Sequence, residues 1–148
     1  MASVKGGDLF DKVLKDLADK LDEDAFVRVG FIEGSVYPDG TPTPLVAAVQ
    51  EFGAPARKIP PRPFFRSMLA EKSPAWPKAV GDLLVRNSYD VKKTLAQAGE
   101  AIAGQLRESI VATNSPPLSP KTIAAKGFDT PLIDTGHLLA SVSYQVED

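Results

Sequence analysis

Two stretches of the chain hold side chains whose types and spacing could do chemistry. "PLIDTGHLL", residues 131–139, sets Asp134, Thr135 and Gly136 behind two apolar residues, the way the catalytic aspartate of an aspartic protease is presented. "ARKIPPRPFFR", residues 56–66, gathers Arg57, Lys58, Arg62 and Arg66 within ten residues, interleaved with prolines and with Phe64 and Phe65. Cations beside aromatic faces are the ingredients of phosphate contact and base stacking.

The protease reading makes demands beyond the tripeptide. Two aspartates must share one proton, from two lobes or from a symmetric dimer. A dimer supplies the second aspartate, but a flap hairpin and a second apolar-apolar-Gly loop have to follow the motif. The twelve residues after Gly136 read instead as a short piece of helix and one strand. A helix cap accounts for the same residues: the side-chain oxygen of Asp134 or Thr135 accepts a backbone N–H of the helix begun by "GHLLASV". Gly136 lets the chain turn tightly into that helix, and Pro131, Leu132 and Ile133 anchor the approach. His137 is the sole histidine of the chain, which excludes a histidine cluster for zinc and a His-based triad within one copy. Its place just past the cap predicts an exposed side chain. No serine has a plausible base and no nucleophile-elbow pattern occurs. Gly30 and Gly34 lack the third glycine, the lysine and the helix start of a phosphate loop. No catalytic residue, metal or cofactor is expected.

The basic segment has three readings. It can be a phosphate-binding strip with stacking aromatics. It can be a stiff arm, extended over about residues 53–63, that docks on an acidic neighbouring subunit, its prolines lowering the entropy lost on docking. It can also be a solvated loop whose phenylalanines anchor it to the core. The net charge of −2 gives no global attraction to nucleic acid, so the subunit arm ranks first and nucleic acid last.

These residues must be positioned by a domain of ordinary make-up. With 148 residues, 43% apolar and 24% charged, the chain suits one domain with a single core. The absence of cysteine removes disulfides and thiolate metal sites, and fits folding in a reducing cytoplasm. The charged N-terminus lacks the apolar run of a signal peptide, and no stretch of about 18 apolar residues could span a membrane.

Periodicity predicts an amphipathic helix over roughly residues 7–23, with Leu9, Phe10, Val13, Leu14, Leu17 and Leu21 on one face and paired charges on the other. Alternation of Val27, Val29 and Phe31 predicts a strand, and Asp39-Gly40 a turn. "TPLVAAVQEFG" predicts a helix with Leu45, Val46, Val49 and Phe52 on one face and Gly53 as its stop. Pro60, Pro61 and Pro63 forbid regular structure until a short helix carrying Phe64, Phe65, Met68 and Leu69. Trp76 lies in a second, proline-broken segment. The longest helix is predicted over 89–112, its small residues allowing close packing. A loop follows, with one short helix between Ser119 as cap and Gly127 as stop. "SVSYQV" then alternates as a strand able to pair with residues 26–32. The predicted architecture is α+β, a small antiparallel sheet packed against a long helix and a shorter N-terminal helix, with a proline-rich extended arm.

The order "VRVGFIEGSVYPDGTPTPLVAAVQEFG", "IPPRPFFR", "PPLSPKTIAAKG" and "PLIDTGHLLASVSYQV", over roughly residues 26–146, resembles the neck proteins of tailed bacteriophages. These are the tail-completion or head–tail joining proteins, also described as minor tail or virion-morphogenesis proteins. The resemblance implies a non-catalytic virion protein made in the host bacterial cytoplasm and assembled into a homo-oligomeric ring, a hexamer, at the head–tail junction. It implies neighbouring neck, tail-terminator or tail-tube proteins as partners, and genomic DNA passing through the lumen without sequence-specific binding. It carries no active-site residue onto this chain and does not separate a completion protein from a tail terminator. The intersubunit candidates are Arg57, Lys58, Arg62, Phe64, Phe65 and Arg66. Asp134, Thr135 and Gly136 are the structural cap.

Overall fold

A computed structural model describes residues 7–22, 24–32, 34–113, 120, 124 and 136–148. Apart from Pro120 and Ala124, the expected helix from Ser119 to Gly127 lies outside the described residues, as do the capping side chains of Asp134 and Thr135.

The fold is α+β. In chain order the elements are α1 (Gly7–Leu21), β1 (Phe26–Phe31), α2 (Thr43–Phe52), α3 (Phe64–Lys72), α4 (Trp76–Arg86), α5 (Val91–Ala112), α6 (His137–Ala140) and β2 (Val142–Glu147). The strands pair antiparallel from Phe26 opposite Glu147 to Phe31 opposite Val142. That register puts Val27, Val29 and Phe31 across from Val146, Tyr144 and Val142, the two alternating apolar sets legible in the sequence. A two-stranded ribbon is not stable alone in water, and α5 supplies its backing.

The first residues of α5 explain where it begins. Ser88 and Tyr89 hold left-handed backbone, with φ of 53° and 64°, so the helix starts two residues later than predicted, at Val91. Asp90 caps the helix, its side chain accepting the Lys93 N–H at 2.9 Å. Ala98, Ala103, Leu106 and Ile110 of α5 are buried. Of these, Ala103, Leu106 and Ile110 meet Phe64 and Met68 from α3, Leu138 from α6, Val142 from β2 and Ala47 from α2 in one core. At Gly99 the helix lies so close to the sheet that an added Cβ would stand 2.7 Å from both Tyr144 Cδ2 and Val27 Cγ2. Arg107 ties the same helix to β2, donating from Nη2 to the Val142 carbonyl at 2.9 Å. On the other side, Trp76 at the head of α4 donates its indole N–H to Gln105 Oε1 at 2.9 Å.

Two expectations are corrected. The N-terminal helix forms where its spacing predicts, but none of its residues is buried, so its apolar face does not pack the sheet. In α2 the buried residues are Thr43, Ala47 and Glu51, at i, i+4 and i+8, while Leu45 and Phe52 are 56% and 65% exposed. The small and polar side is turned inward because Thr43 and Glu51 have hydrogen-bond partners there, and Ala47 lets the helix come close to Phe64. Hydrophobicity alone points to the opposite face.

Candidate functional site

The basic segment begins where α2 stops. Gly53 has φ of 75°, and a Cβ there would meet the Ile59 carbonyl oxygen and the Pro61 nitrogen, each at 2.8 Å. Glycine is therefore required both by conformation and by contact. Ala54 and Ile59 exchange backbone hydrogen bonds of 2.9 and 3.1 Å around a 3-10 turn at Pro55–Arg57, with Lys58 left-handed at φ 57°. The Arg62 N–H donates to the Gln50 carbonyl at 2.7 Å, and Pro60–Pro63 carries no regular structure before α3.

Arg57 and Lys58 are exposed at the tip of this loop, and Arg66 is exposed at the start of α3. Arg62 is 6% exposed and belongs to the interior, where burial lowers the pKa of its guanidinium. Phe64 is buried in the core and packs edge-on against Phe31, with ring centroids 6.1 Å apart. Phe65 is half-buried. Within the chain, then, Arg62 and Phe64 are not surface contact residues. Their positions are taken by folding, because Pro63 starts α3 with its first aromatic pointed at α5.

A carboxylate not anticipated from sequence organises the segment. Glu51, buried on α2, accepts the backbone N–H groups of Phe65 at 2.9 Å and Arg66 at 3.1 Å. It also accepts Arg66 Nε at 2.7 Å, and Arg66 Nη2 donates to the Glu51 carbonyl at 3.2 Å. The first turn of α3 has no side-chain cap of its own, so Glu51 satisfies two of its unpaired donors from another helix and places a negative charge at the positive end of the dipole. Arg66, held this way, lies over the Phe52 ring at 5.1 Å. The signal available in the sequence was an N-terminus lacking Ser, Thr, Asp or Asn beside a lone acid in an apolar helix.

Between α2 and α3 lies an apolar groove of about 250 Å³, lined by Phe31, Ala47, Ala48, Phe52 and Phe65, with Arg66 at its edge.

Around α6 the hydroxyls and the single imidazole form a second cluster. Gly136 precedes the helix in left-handed backbone, φ 74°, as its role in a tight turn requires. His137 is half-buried rather than exposed. Its Nε2 lies 3.2 Å from Thr43 Oγ1, and its ring packs on Tyr37 with centroids 4.3 Å apart. Ser35 Oγ shares hydrogen bonds with Thr43 Oγ1 at 2.9 Å and with Ser141 Oγ at 3.2 Å, donating one and accepting the other. The imidazole and hydroxyl are thus adjacent, as in a nucleophile and its base, but Thr43 is 0% exposed and a substrate could not reach it. The cluster joins the turn after β1, α2 and α6. Sequence separations of 94 and 106 residues hid it. Among the described residues no three His, Asp or Glu side chains gather as metal ligands, and no helix is long and apolar enough to cross a membrane.

Comparison with protein-family models, with curated proteins and with solved structures returned no match.

Proposed function

We propose that the chain is a structural subunit of a tailed-phage virion, assembling as a ring, a hexamer, at the head–tail junction. There it joins tail to head and surrounds the DNA channel as a tail-completion protein. The observation that carries this reading is the ordered set of stretches from "VRVGF" to "SYQV".

Several features support it. Three of those stretches come together around one end of α5: Phe31 touches Phe64, Glu51 holds the start of α3, and Val142 pairs with Phe31. Phe31 and Val142, 111 positions apart, are thereby brought into one sheet. Apolar side chains of α1 and α2 remain uncovered within one copy, as they do on subunits completed by assembly. The acidic net charge suits a channel that must not grip DNA. A tail-terminator ring is the alternative within the same reading. A nucleic-acid module using residues 57–66 loses two of its four cations, since Arg62 is buried and Arg66 is engaged by Glu51.

Mass spectrometry and cryo-microscopy of purified particles test the proposal. The protein is expected in mature virions as a ring at the neck; its absence from particles and tails overturns the reading.

A further inference from the structure

We propose that α1 of one copy docks into the α2–α3 groove of the next copy, making the head-to-tail contact of the assembly. The inference rests on the ring reading for its closure, whereas the contact itself is a property of the chain.

Among the described residues the apolar stripe of α1 and the α2–α3 groove are both uncovered, and the segments flanking them carry opposite charge. On α1, Phe10 and Leu14 are 64% and 46% exposed and stand one turn apart, with Leu21 two turns further along the same stripe. Residues 8–24 hold seven carboxylates against three lysines. The groove is lined mainly by alanine and phenylalanine side chains together with the paired Glu51 and Arg66, and its unneutralised cations are Arg57 and Lys58 on the loop leaving directly from Phe52 and Gly53. An amphipathic helix in an apolar groove is anchored by side chains at i and i+4, the spacing of Phe10 and Leu14. Its acidic flanks would face the basic rim, which selects this pairing over α1 against α1 or groove against groove, where like charges meet.

The C-terminal end of α1 and the groove are anchored near opposite ends of α5. Lys20 of α1 donates to the Ser88 carbonyl at 3.4 Å, beside the N-terminus of α5. The groove lies by Phe64, whose carbonyl accepts the Ser109 hydroxyl at 2.6 Å near the C-terminus of α5. About 28 Å of helix separates Asp90 from Ser109. A contact between two unlike surfaces is heterologous, and it propagates until rotation closes it into a ring.

The cysteine-free sequence makes disulfide trapping selective. Leu14→Cys and Ala48→Cys change two exposed positions, one on each surface, and far-UV circular dichroism checks that each variant is folded. Mixed under mild oxidation, the two are expected to form the 14–48 heterodimer about tenfold or more faster than Leu14→Cys mixed with Lys78→Cys on α4. Added salt, or Arg57→Glu with Lys58→Glu in the Ala48→Cys protein, should slow it. The double variant should give a ladder of multimers. A 14–48 rate no greater than the control overturns the docking. So does a dominant 14–14 dimer, or an intramolecular bond in the double variant without cross-linking in the mixture. Particle imaging judges the ring separately: a neck ring without the 14–48 bond removes the docking and keeps the ring, and a fast 14–48 bond in a protein absent from particles does the reverse.

Discussion

Glu51 shows how one side chain can hold several parts of a fold in place. Its carboxylate serves two N–H groups of α3 and the Arg66 guanidinium, and its own carbonyl takes a further Arg66 hydrogen bond. Glu51→Ala strands two partly buried backbone donors and is expected to cost about 1–3 kcal/mol in urea unfolding, less than a fully buried ion pair because Arg66 regains water. Glu51→Gln, which keeps an acceptor, should cost about half as much. A loss below about 0.5 kcal/mol, the scatter of surface substitutions, would remove the capping role. Asp39 is a smaller case. Its side chain accepts the Thr41 N–H at 2.9 Å, and this hydrogen bond holds its pKa below the ordinary 3.8. With the folded pKa depressed, its contribution is complete above the unfolded value and is lost as pH falls through the lower folded value. Carboxyl-carbon NMR titration should give a midpoint below 3.8; a midpoint at or above it would contradict the turn geometry.

At the level of elements, α5 holds two glycines with opposite fates. Ala at position 99 would push into Tyr144 and Val27, whereas Ala at position 104 meets nothing within 4 Å. Gly99→Ala is expected to destabilise by about 1–3 kcal/mol in spite of alanine's better helix propensity. Gly104→Ala should stabilise by about 0.5–1 kcal/mol. Equal effects in thermal melts would mean that the close helix–sheet approach is absent in solution. The existence of α5 and its apolar stripe were legible beforehand, since Leu95, Ala98, Ile102, Leu106 and Ile110 keep a helical spacing. Its separate start at Val91 was not, because Ser88 and Tyr89 adopt left-handed backbone that their side chains do not advertise. In α2 periodicity pointed to the wrong side, as two polar residues with remote partners outweighed four apolar ones.

For the molecule as a whole, the cations of residues 57–66 no longer act as a set. Arg57 and Lys58 remain outward at the loop tip, Arg62 is interior and Arg66 is engaged by Glu51. DNA affinity at low salt is accordingly expected to be weak, and Arg57→Ala with Lys58→Ala should change it little. A steep salt dependence lost in that double variant would instead favour the nucleic-acid reading. Self-association through α1 is the property that the charge distribution favours, and the cross-linking experiment reads it directly.

By itself the sequence located most of the local structure of the described chain: the helices found at 7–21, 43–52 and 64–72, the body of the long helix expected over 89–112, the two strands and the stop at Gly53. Hydrophobic period, proline and glycine act within a few residues, so these elements needed no knowledge of the fold. Tertiary structure alone decided which faces are inside. Burial of Thr43, Glu51 and Arg62, the proximity of Thr43 to His137 and the exposure of the α1 stripe depend on partners far along the chain. A hydrogen bond to a distant residue reverses the preference of a polar side chain for water, and only the assembled fold says where that partner stands.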